Sequence, residues 1–441
     1  MTSDATLTPR TPSPAAVGAT EILGRYRAVR AATERIAAPL APEDCVVQTM
    51  ADVSPTKWHL AHVSWFFETF VLEPHLAAYR PLDSRYAYLF NSYYVQAGER
   101  HCRDRRGYIS RPTLEEIYAY RAHVDEGISE LLEGASEGPL TVCAPLIEIG
   151  LHHEQQHQEL MLTDIKHVFS VNPLRPAYRD GPVDPSPPAR TVAWVPFEGG
   201  LYEIGHQGDG FAYDNETPRH RHYLEPFLLA DRLVTNGEYL AFMEDGGYER
   251  AELWLSEGFA TAQERSWSEP FYWEERDGRW WLFSLGGMRE LEEHEPLCHV
   301  SYFEADAFAR WAGARLPTEE EWEVAARDLP VSGNTFETGR LHPMGAAGAG
   351  PAGGQGDDQG PRQLYGDVWE WTRSQYSPYP GYSPLPGALG EYNGKFMCNQ
   401  FVLRGGSCVT SASHIRPTYR NFFVPDATWQ FMGFRLARDG G

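Results

Sequence analysis

The chain has 441 residues, enough for two or three domains, and its 42% hydrophobic content, 13% aromatic content and 13 tryptophans exclude a disordered polypeptide. Its 61 acidic and 38 basic residues give a formal net charge of −23, which argues against nucleic acid or an anionic membrane surface as a partner. No window reaches the ~20 apolar residues of a membrane-spanning helix, the N-terminus lacks the pattern of a secretory signal, and the 6 cysteines form no Cys-x-x-Cys pair, so we expect a soluble, cytoplasmic protein.

Four amphipathic helices are predicted after a loose tail rich in proline, alanine and threonine (1–18). The first covers 20–38. The second begins at Ser54-Pro55, a cap residue followed by a first-turn proline, and closes before Pro74. The third opens with the capping box Thr113/Glu116 and ends near Gly134. The fourth has Pro145 in its first turn and ends around Phe169, so residues 19–172 are predicted to form an up-down four-helix bundle.

Histidines on two of these helices are candidate metal ligands. His153 and His157 are four residues apart, so they share one side of the fourth helix and continue its apolar stripe. His62 lies on the core-facing stripe of the second helix and is preferred over His59, which is turned off that stripe. Buried imidazoles need partners, and a divalent metal between facing helices would supply one. Ordinary hydrogen-bonded core histidines are the alternative, and Glu159, too far round the helix to be a ligand, is expected to orient a ligand or close the site.

The composition changes at a proline-rich linker (173–190), and the second domain (191–441) is rich in glycine, tryptophan and short strand patterns. A glycine-rich stretch (345–360) is expected to form an exposed, mobile loop. Helices are predicted at three further capping boxes, Thr235/Glu238, Ser301/Glu304 and Thr318/Glu321.

Two family resemblances follow from these motifs. The N-terminal half resembles DinB-like bundles, which hold a metal with one histidine of the second helix and a His-x-x-x-His of the fourth. The C-terminal half is similar to the formylglycine-generating-enzyme/sulfatase-modifying family through residues 199–205, 234–239, 315–323, 366–372, 403–407 and 433–438. Joined in this order, they resemble the ergothioneine-biosynthesis sulfoxide synthases (the EgtB family), whose His-x-x-x-His-x-Glu motif is matched by His153, His157 and Glu159. The resemblance implies a DinB-like four-helix bundle followed by an irregular α+β, C-type-lectin-like domain.

The resemblance also implies a reaction. Such enzymes are mononuclear non-haem iron(II) enzymes that use O2 to join the sulfur of cysteine or γ-glutamylcysteine to imidazole C2 of hercynine (Nα-trimethylhistidine), leaving a sulfoxide. His62, His153 and His157 would hold the iron and leave positions open for the substrates. The sulfur donor, the C2 or C5 position on the ring and the oligomeric state stay open.

Hercynine contacts are implied by matching positions. Gln156 matches the amide that the family directs at the hercynine imidazole, although a helix-surface glutamine is the plain alternative. Asn421 and Phe422 match the residues for the carboxylate and the trimethylammonium group, which aromatic faces bind best. Family members often carry a tryptophan and an aspartate where this chain has Phe422 and Phe423.

The loop between the second and third helices supplies the remaining candidates. Arg103 and Arg106 are predicted to bind the carboxylate of the thiol substrate, with a solvated basic loop as the alternative. The family's proton-donating tyrosine has no clear match around Tyr376, so the pair Tyr93 and Tyr94 is predicted to be the substitute acid. A purely structural role in the core is the alternative for this pair.

Four other functions are weighed against this one. An ovothiol-type synthase, which attaches sulfur at C5, generally adds a methyltransferase domain that we expect to be absent here. A zinc-dependent thiol S-transferase would need only the bundle. A copper-dependent formylglycine-type oxidase needs paired cysteines, which Cys398 and Cys408 do not provide in the usual arrangement. A lectin-like binding module would use its metal only structurally.

Overall fold

The computed structural model describes residues 18–134, 137–179, 186–346 and 360–440. The predicted tail up to residue 17, positions 180–185 of the predicted linker and most of the glycine-rich stretch (347–359) lie outside the described residues. Long helices occupy the chain up to residue 171, and short strands and helices occupy it from residue 194 onward. This order confirms the predicted α domain followed by an α+β domain.

The first domain is a helical bundle. Its helices are α1 (Ala19–Ala37), α2 (Thr56–Phe67), α3 (Glu73–His75), α4 (Tyr86–Leu89), α5 (Leu114–Glu133) and α6 (Glu137–Val171). Both α1 and α2 pack against α5 and α6, so the four long helices enclose one core. The long connection from α2 to α5 is mostly irregular, with short 3-10 turns at Val95–Ala97 and Arg103–Tyr108.

Helix α2 lies at the centre of the bundle, since each of its 12 residues is buried. It continues through a π-helical turn (Glu68–Leu72) into α3. The prediction that this helix closes before Pro74 is therefore wrong. Pro74 lies in α3 directly after the π-helical turn, so it interrupts neither α2 nor that turn.

The third predicted helix is α5, and its start is as predicted. The Thr113 side chain accepts a hydrogen bond from the Glu116 backbone N–H (3.2 Å), and the Glu116 carboxylate accepts one from the Thr113 N–H (2.6 Å). Gly134 caps the other end. The capping-box prediction is confirmed.

Helix α6 begins earlier than predicted. It starts at Glu137, so Pro145 lies inside the helix and the prediction of Pro145 in its first turn is wrong. One internal proline costs about 3 kcal/mol, which the packing of a 35-residue helix offsets. From residue 151 to 169 only Gln156 and Leu160 are not fully buried, because the second domain covers the face that the bundle leaves open.

The second domain consists of small sheets and short helices. Its elements are β1 (Trp194–Phe197), β2 (Gly200–Ile204), β3 (His220–Leu224), β4 (Phe227–Ala230), α7 (Asn236–Glu244), α8 (Ser256–Glu264), β5 (Trp273–Arg276), β6 (Arg279–Ser284), β7 (Gly287–Glu290), α9 (Tyr302–Trp311), α10 (Glu319–Ala326), β8 (Trp369–Gln375), α11 (Glu391–Gly394), β9 (Phe401–Arg404), β10 (Asn421–Phe423), β11 (Met432–Gly433) and β12 (Ala437–Asp439). The strand orders are β1-β4-β12, β10-β9-β8-β11, β2-β3 and β5-β6-β7. The predicted capping boxes open α7, α9 and α10.

The two domains share a buried interface along α6. Lys166 Nζ lies 2.6 Å from His299 Nε2, and Gln155 Nε2 donates to Ser411 Oγ (3.0 Å). One hydrophobic cluster runs from the bundle to Leu233 and Phe431 of the second domain. Across the part of the chain that the structure describes, no helix combines the length and apolar character needed to cross a bilayer.

Candidate active site

Helices α2 and α6 bring three histidines together. His62 comes from α2, and His153 and His157 come from successive turns of α6. One nitrogen of each lies within 4.8 Å of the others, and all three residues are buried. Among the described residues, this is the only group of three or more His, Cys, Asp or Glu side chains close enough to share a metal ion.

The surroundings of the three imidazoles favour their neutral form. Burial lowers the pKa of His153 to about 4 and lowers the pKa of His62 and of His157 well below its usual range, with neighbouring His153 adding to the effect on both. The Phe90 carbonyl accepts a hydrogen bond from His62 Nδ1 (2.5 Å), which leaves His62 Nε2 as its acceptor atom. Neutral nitrogen donors of this kind suit iron, zinc, copper and nickel.

The spacing of the nitrogens also fits a metal. His62 Nε2 and His153 Nε2 are 3.2 Å apart, and two nitrogens at ~2.1 Å from one ion and at right angles to each other would be ~3 Å apart. His153 Nδ1 is buried and has no hydrogen-bond partner. The two facing nitrogens are close enough for a hydrogen bond between the rings, and the same spacing suits two ligands of one cation.

A cavity of about 230 Å³ lies beside the histidines, between the bundle and the second domain. Its lining includes every residue predicted for the site: His62, His153, His157, Tyr93, Tyr94, Arg103, Arg106, Gln156, Asn421 and Phe422. The structure thus brings together residues that are hundreds of positions apart in sequence. Their individual roles stay predictions.

Arg106 is the most unusual charged group in the cavity wall. It is buried, its guanidinium lies 3.4 Å from the centre of the Trp58 ring, and it donates hydrogen bonds to Ser54 Oγ (2.9 Å) and Ser92 Oγ (2.8 Å). No acidic side chain in the described ranges forms an ion pair with it, and burial lowers its pKa to about 9. A buried cation without a carboxylate partner is well suited to bind an anion.

Arg103 lies closer to solvent than Arg106, with a side chain that is 40% exposed. It donates to the Tyr93 hydroxyl and to the Asp52 carbonyl oxygen (2.9 Å). The two arginines that were predicted to act together therefore have different environments. Arg103 is partly engaged at the rim, whereas Arg106 is buried without an ionic partner.

Like the two arginines, the neighbouring residues Tyr93 and Tyr94 differ in how deeply they are buried. Tyr94 is buried among Trp65, Phe66 and Phe70, and burial raises its pKa above the usual range. Tyr93 is only partly buried and packs edge-on against Tyr392 and Phe396 of the second domain.

The second domain contributes a polar and aromatic wall. Gln156 donates from Nε2 to the Tyr419 hydroxyl (2.7 Å) across the domain interface. In β10, Phe422 stacks on Tyr376 with ring centres 4.1 Å apart. The neighbouring Asn421 uses its side-chain oxygen to accept from the Phe422 N–H (2.9 Å), which leaves its amide N–H groups for another partner.

Glu159 faces the second domain. Its carboxylate accepts hydrogen bonds from Trp369 Nε1 (2.5 Å) and Thr410 Oγ1 (2.8 Å), and burial raises its pKa to about 7. These contacts support the expectation that Glu159 helps to close the site between the domains. Ligand orientation by Glu159 has no contact to support it.

Several residues of this site were not predicted. His59, considered as a third metal ligand, instead contacts His157 Nδ1 (2.8 Å) and Asp164 (3.0 Å). Asp164 follows His157 by seven residues on α6, a helical spacing that gives a usable signal. Tyr419 comes from an irregular segment that carries no local signal, whereas Trp369 begins β8 inside the 366–372 motif, to which no site role was assigned. None of the cysteines lines the cavity or belongs to the one cluster of potential metal ligands among the described residues, so the structure gives no support to the copper-dependent formylglycine-type oxidase.

Comparisons with known proteins agree with this architecture. Residues 25–161 match the DinB superfamily and residues 181–440 match the sulfatase-modifying factor enzyme 1-like domain. The chain is 33% identical over 415 residues to the hercynine oxygenase of Mycolicibacterium thermoresistibile, covering 88% of each protein. It is 36% identical over 313 residues to the hercynine oxygenase of Mycolicibacterium smegmatis, covering 66% of this chain and 70% of that one. It is 31% identical to the formylglycine-generating enzyme of Streptomyces coelicolor, covering 58% of this chain and 93% of that one.

Proposed function

The chain belongs to the hercynine oxygenase family and is an oxidoreductase, and from this premise we propose that it is an O2-dependent iron(II) sulfoxide synthase. It would join the sulfur of cysteine or γ-glutamylcysteine to imidazole C2 of hercynine. In this reaction the thiol loses its S–H hydrogen, the ring loses its C–H hydrogen, and a carbon–sulfur bond forms. One oxygen atom of O2 ends on sulfur and the other leaves as water.

The observation that carries this proposal is the position of the three neutral histidines in the wall of the cavity that also holds Arg106. Held by His62, His153 and His157, iron(II) would supply the electron transfer that O2 needs to react with a closed-shell thiol and imidazole. Three protein nitrogens leave further positions for small ligands. The residues present therefore fit the group that the family implies.

Arg106 would bind the carboxylate of the thiol substrate. Its guanidinium is buried and lacks an ionic partner, and Ser54 and Ser92 hold it in place through hydrogen bonds. Arg103, at the rim, would add a second cationic contact. Because charge-assisted hydrogen bonds in a buried site are stronger than neutral ones, this pair would orient the thiol toward the histidines.

The opposite wall would bind hercynine. Gln156, held by the Tyr419 hydroxyl, would direct its amide at the imidazole ring. Asn421 has free amide donors for a carboxylate. The aromatic side chains Phe422, Tyr376 and Phe396 lie close together here, and a trimethylammonium group, which cannot donate hydrogen bonds, is best held by such faces.

Tyr93 and Tyr94 would supply the proton. Both line the cavity, and burial keeps Tyr94 in its protonated form by raising its pKa. The Tyr93 hydroxyl accepts from Arg103, so its own proton is free to be donated elsewhere. A positioned acid of this kind contributes typically about 10²–10⁴-fold to a rate.

The test is an anaerobic reconstitution. The protein is loaded with iron(II) and mixed with hercynine and equal amounts of cysteine and γ-glutamylcysteine, and then ¹⁸O2 is admitted while products are followed by mass. We expect a hercynine–thiol sulfoxide with one labelled oxygen, whose mass identifies the donor. Loss of deuterium from hercynine labelled at C2 would establish the ring position and exclude an ovothiol-type C5 product.

Two outcomes would contradict the proposal. Oxidised thiol with unchanged hercynine would indicate a thiol dioxygenase. If no O2 is consumed by the iron(II) protein but the zinc-loaded protein transfers the thiol, the zinc-dependent S-transferase is correct. Metal-free protein in the same mixture is the control for oxidation in solution.

A further inference from the structure

We propose that His59 and Asp164 are positioning residues for His157: they fix its tautomer and increase its electron donation to the bound metal. This inference rests on the proposed role of His157 as a metal ligand. It does not depend on which substrates the cavity binds.

The three side chains form one buried chain of hydrogen bonds. His59 Nδ1 lies 2.8 Å from His157 Nδ1, and His59 Nε2 lies 3.0 Å from Asp164 Oδ2. The same carboxylate oxygen accepts the backbone N–H of Ser54 (2.8 Å), just before α2. His59 and Asp164 are 2% and 3% exposed, so water does not compete for these bonds.

The direction of these hydrogen bonds follows from the Asp164 carboxylate at one end and the metal ligand His157 at the other. An ionised carboxylate can only accept, so His59 Nε2 carries the proton and donates to Asp164. Where His157 binds a metal through Nε2, its Nδ1 carries the proton and donates to His59 Nδ1. His157 Nε2 then offers its lone pair to the metal that His62 and His153 share.

The other two candidate ligands, His62 and His153, differ from His157 in the partner of their Nδ1 atom. His62 Nδ1 donates to the neutral Phe90 carbonyl, and His153 Nδ1 has no partner. Only His157, among these three, is connected to a carboxylate through a second ring. A ligand whose far N–H is bonded toward a carboxylate becomes more basic. We therefore infer that His157 is the strongest donor of the three.

The helical geometry explains how this chain is held. His157 and Asp164 are two turns apart on one side of α6, and His59 of α2 fits between them. His59 and His62 are three residues apart on α2, so a single helix supplies both a ligand and the partner of another ligand. The arrangement is built from two rigid elements and needs no loop.

The experiment measures metal binding without substrates. Affinities for iron(II) and cobalt(II) are determined by competition with a chelator, together with the visible spectrum of the cobalt(II) protein and the ferric/ferrous potential. We expect Asp164→Asn to weaken binding about 10-fold and His59→Leu about 100-fold, the range seen for partners of metal-bound histidines. Both variants should also raise the potential, because a weaker donor stabilises the ferric state less.

Two further variants separate positioning from simple destabilisation. His59→Gln offers one acceptor and one donor, so it should retain more affinity than His59→Leu. Glu68→Gln is the matched control, because Glu68 is a buried bundle carboxylate that accepts from two hydroxyls, Tyr79 (2.5 Å) and Tyr120 (2.6 Å), away from the cavity. It should leave metal affinity unchanged.

The inference is overturned if Asp164→Asn and His59→Leu bind metal as tightly as the wild type with the same spectrum and potential. It is also overturned if Glu68→Gln weakens binding as much as Asp164→Asn at equal thermal stability. A wild-type protein that binds metal and loses affinity in these variants, yet forms no sulfoxide, would support the inference and contradict the proposed function. The two failures are therefore distinguishable.

Discussion

The bundle wall and the second-domain wall of the cavity are built in different ways. The bundle presents His62 from the fully buried helix α2, and His153 and His157 from a mostly buried stretch of α6. The second domain presents Asn421 and Phe422 from a three-residue strand, beside side chains from irregular segments. One wall therefore depends on helical spacing inside a single domain. The other depends on contacts between domains, so metal binding and substrate binding should be separable by mutation.

The sharpest test of this comparison removes a ligand. His157→Ala should abolish metal binding and lower the rate of sulfoxide formation by more than ~100-fold, because loss of a mere partner of a ligand already costs ~10–100-fold. Metal content and thermal stability with and without iron(II) are the measurements. His123→Ala is the matched control, since His123 lies half-buried on α5 and does not line the cavity. Full metal content in His157→Ala would contradict the site.

The next largest effect concerns the tyrosine pair. Replacing both Tyr93 and Tyr94 by phenylalanine should slow sulfoxide formation by about 10²-fold while metal binding is kept, since a positioned acid is lost. Tyr93→Phe should account for more of this loss, because Arg103 donates to its hydroxyl and leaves its proton free. The measurement is the ratio of sulfoxide to oxidised thiol. Unchanged sulfoxide formation in both single variants would exclude the acid role.

Capping boxes predicted helix starts correctly, whereas prolines did not: α2 begins at Thr56 with Pro55 as its N-cap, and no side chain caps it as was predicted for Ser54. Thr113/Glu116 correctly marks the start of α5, because a capping box depends only on residues close in sequence. Pro145 misled the prediction of α6, because a proline signal does not distinguish a first turn from a tolerated interior position. The π-helical turn Glu68–Leu72 has no sequence signature of its own.

The candidate site also contains residues with a local sequence signal and contacts without one. The spacing of His153 and His157 made them candidates for one shared site, because four residues return a helix to the same side. The bond from Gln156 to Tyr419 and that from Trp369 to Glu159 join different domains. Such contacts depend on how two folded surfaces meet, which no local pattern contains. Asp164 was missed although its helical spacing from His157 was available.

A smaller effect, on the binding of the thiol substrate, is expected when Arg106 is replaced. Arg106→Gln should raise KM for the thiol by about 10–100-fold, since a hydrogen bond to a charged group is worth about 1.5–3 kcal/mol. KM for hercynine should change little. Arg105→Gln is the control, because Arg105 is an exposed neighbour in the same turn and does not line the cavity. Steady-state kinetics with each substrate varied in turn would show the difference, and an unchanged thiol KM would contradict the assigned contact.

The smallest effect on chemistry should come from the contact between the two walls. Glu159→Ala leaves the indole N–H of Trp369 and the hydroxyl of Thr410 buried without their acceptor, which should cost about 2–4 kcal/mol of unfolding free energy. Iron(II) affinity should stay close to wild type, because the three histidines belong to the bundle alone, while KM for hercynine rises several-fold as the second wall loosens. Chemical denaturation, chelator competition and kinetics measure these quantities, with the exposed Glu130→Ala on α5 as the control. If Glu159→Ala instead loses iron(II) as completely as His157→Ala, the metal site depends on the second domain and the two walls cannot be treated as independent.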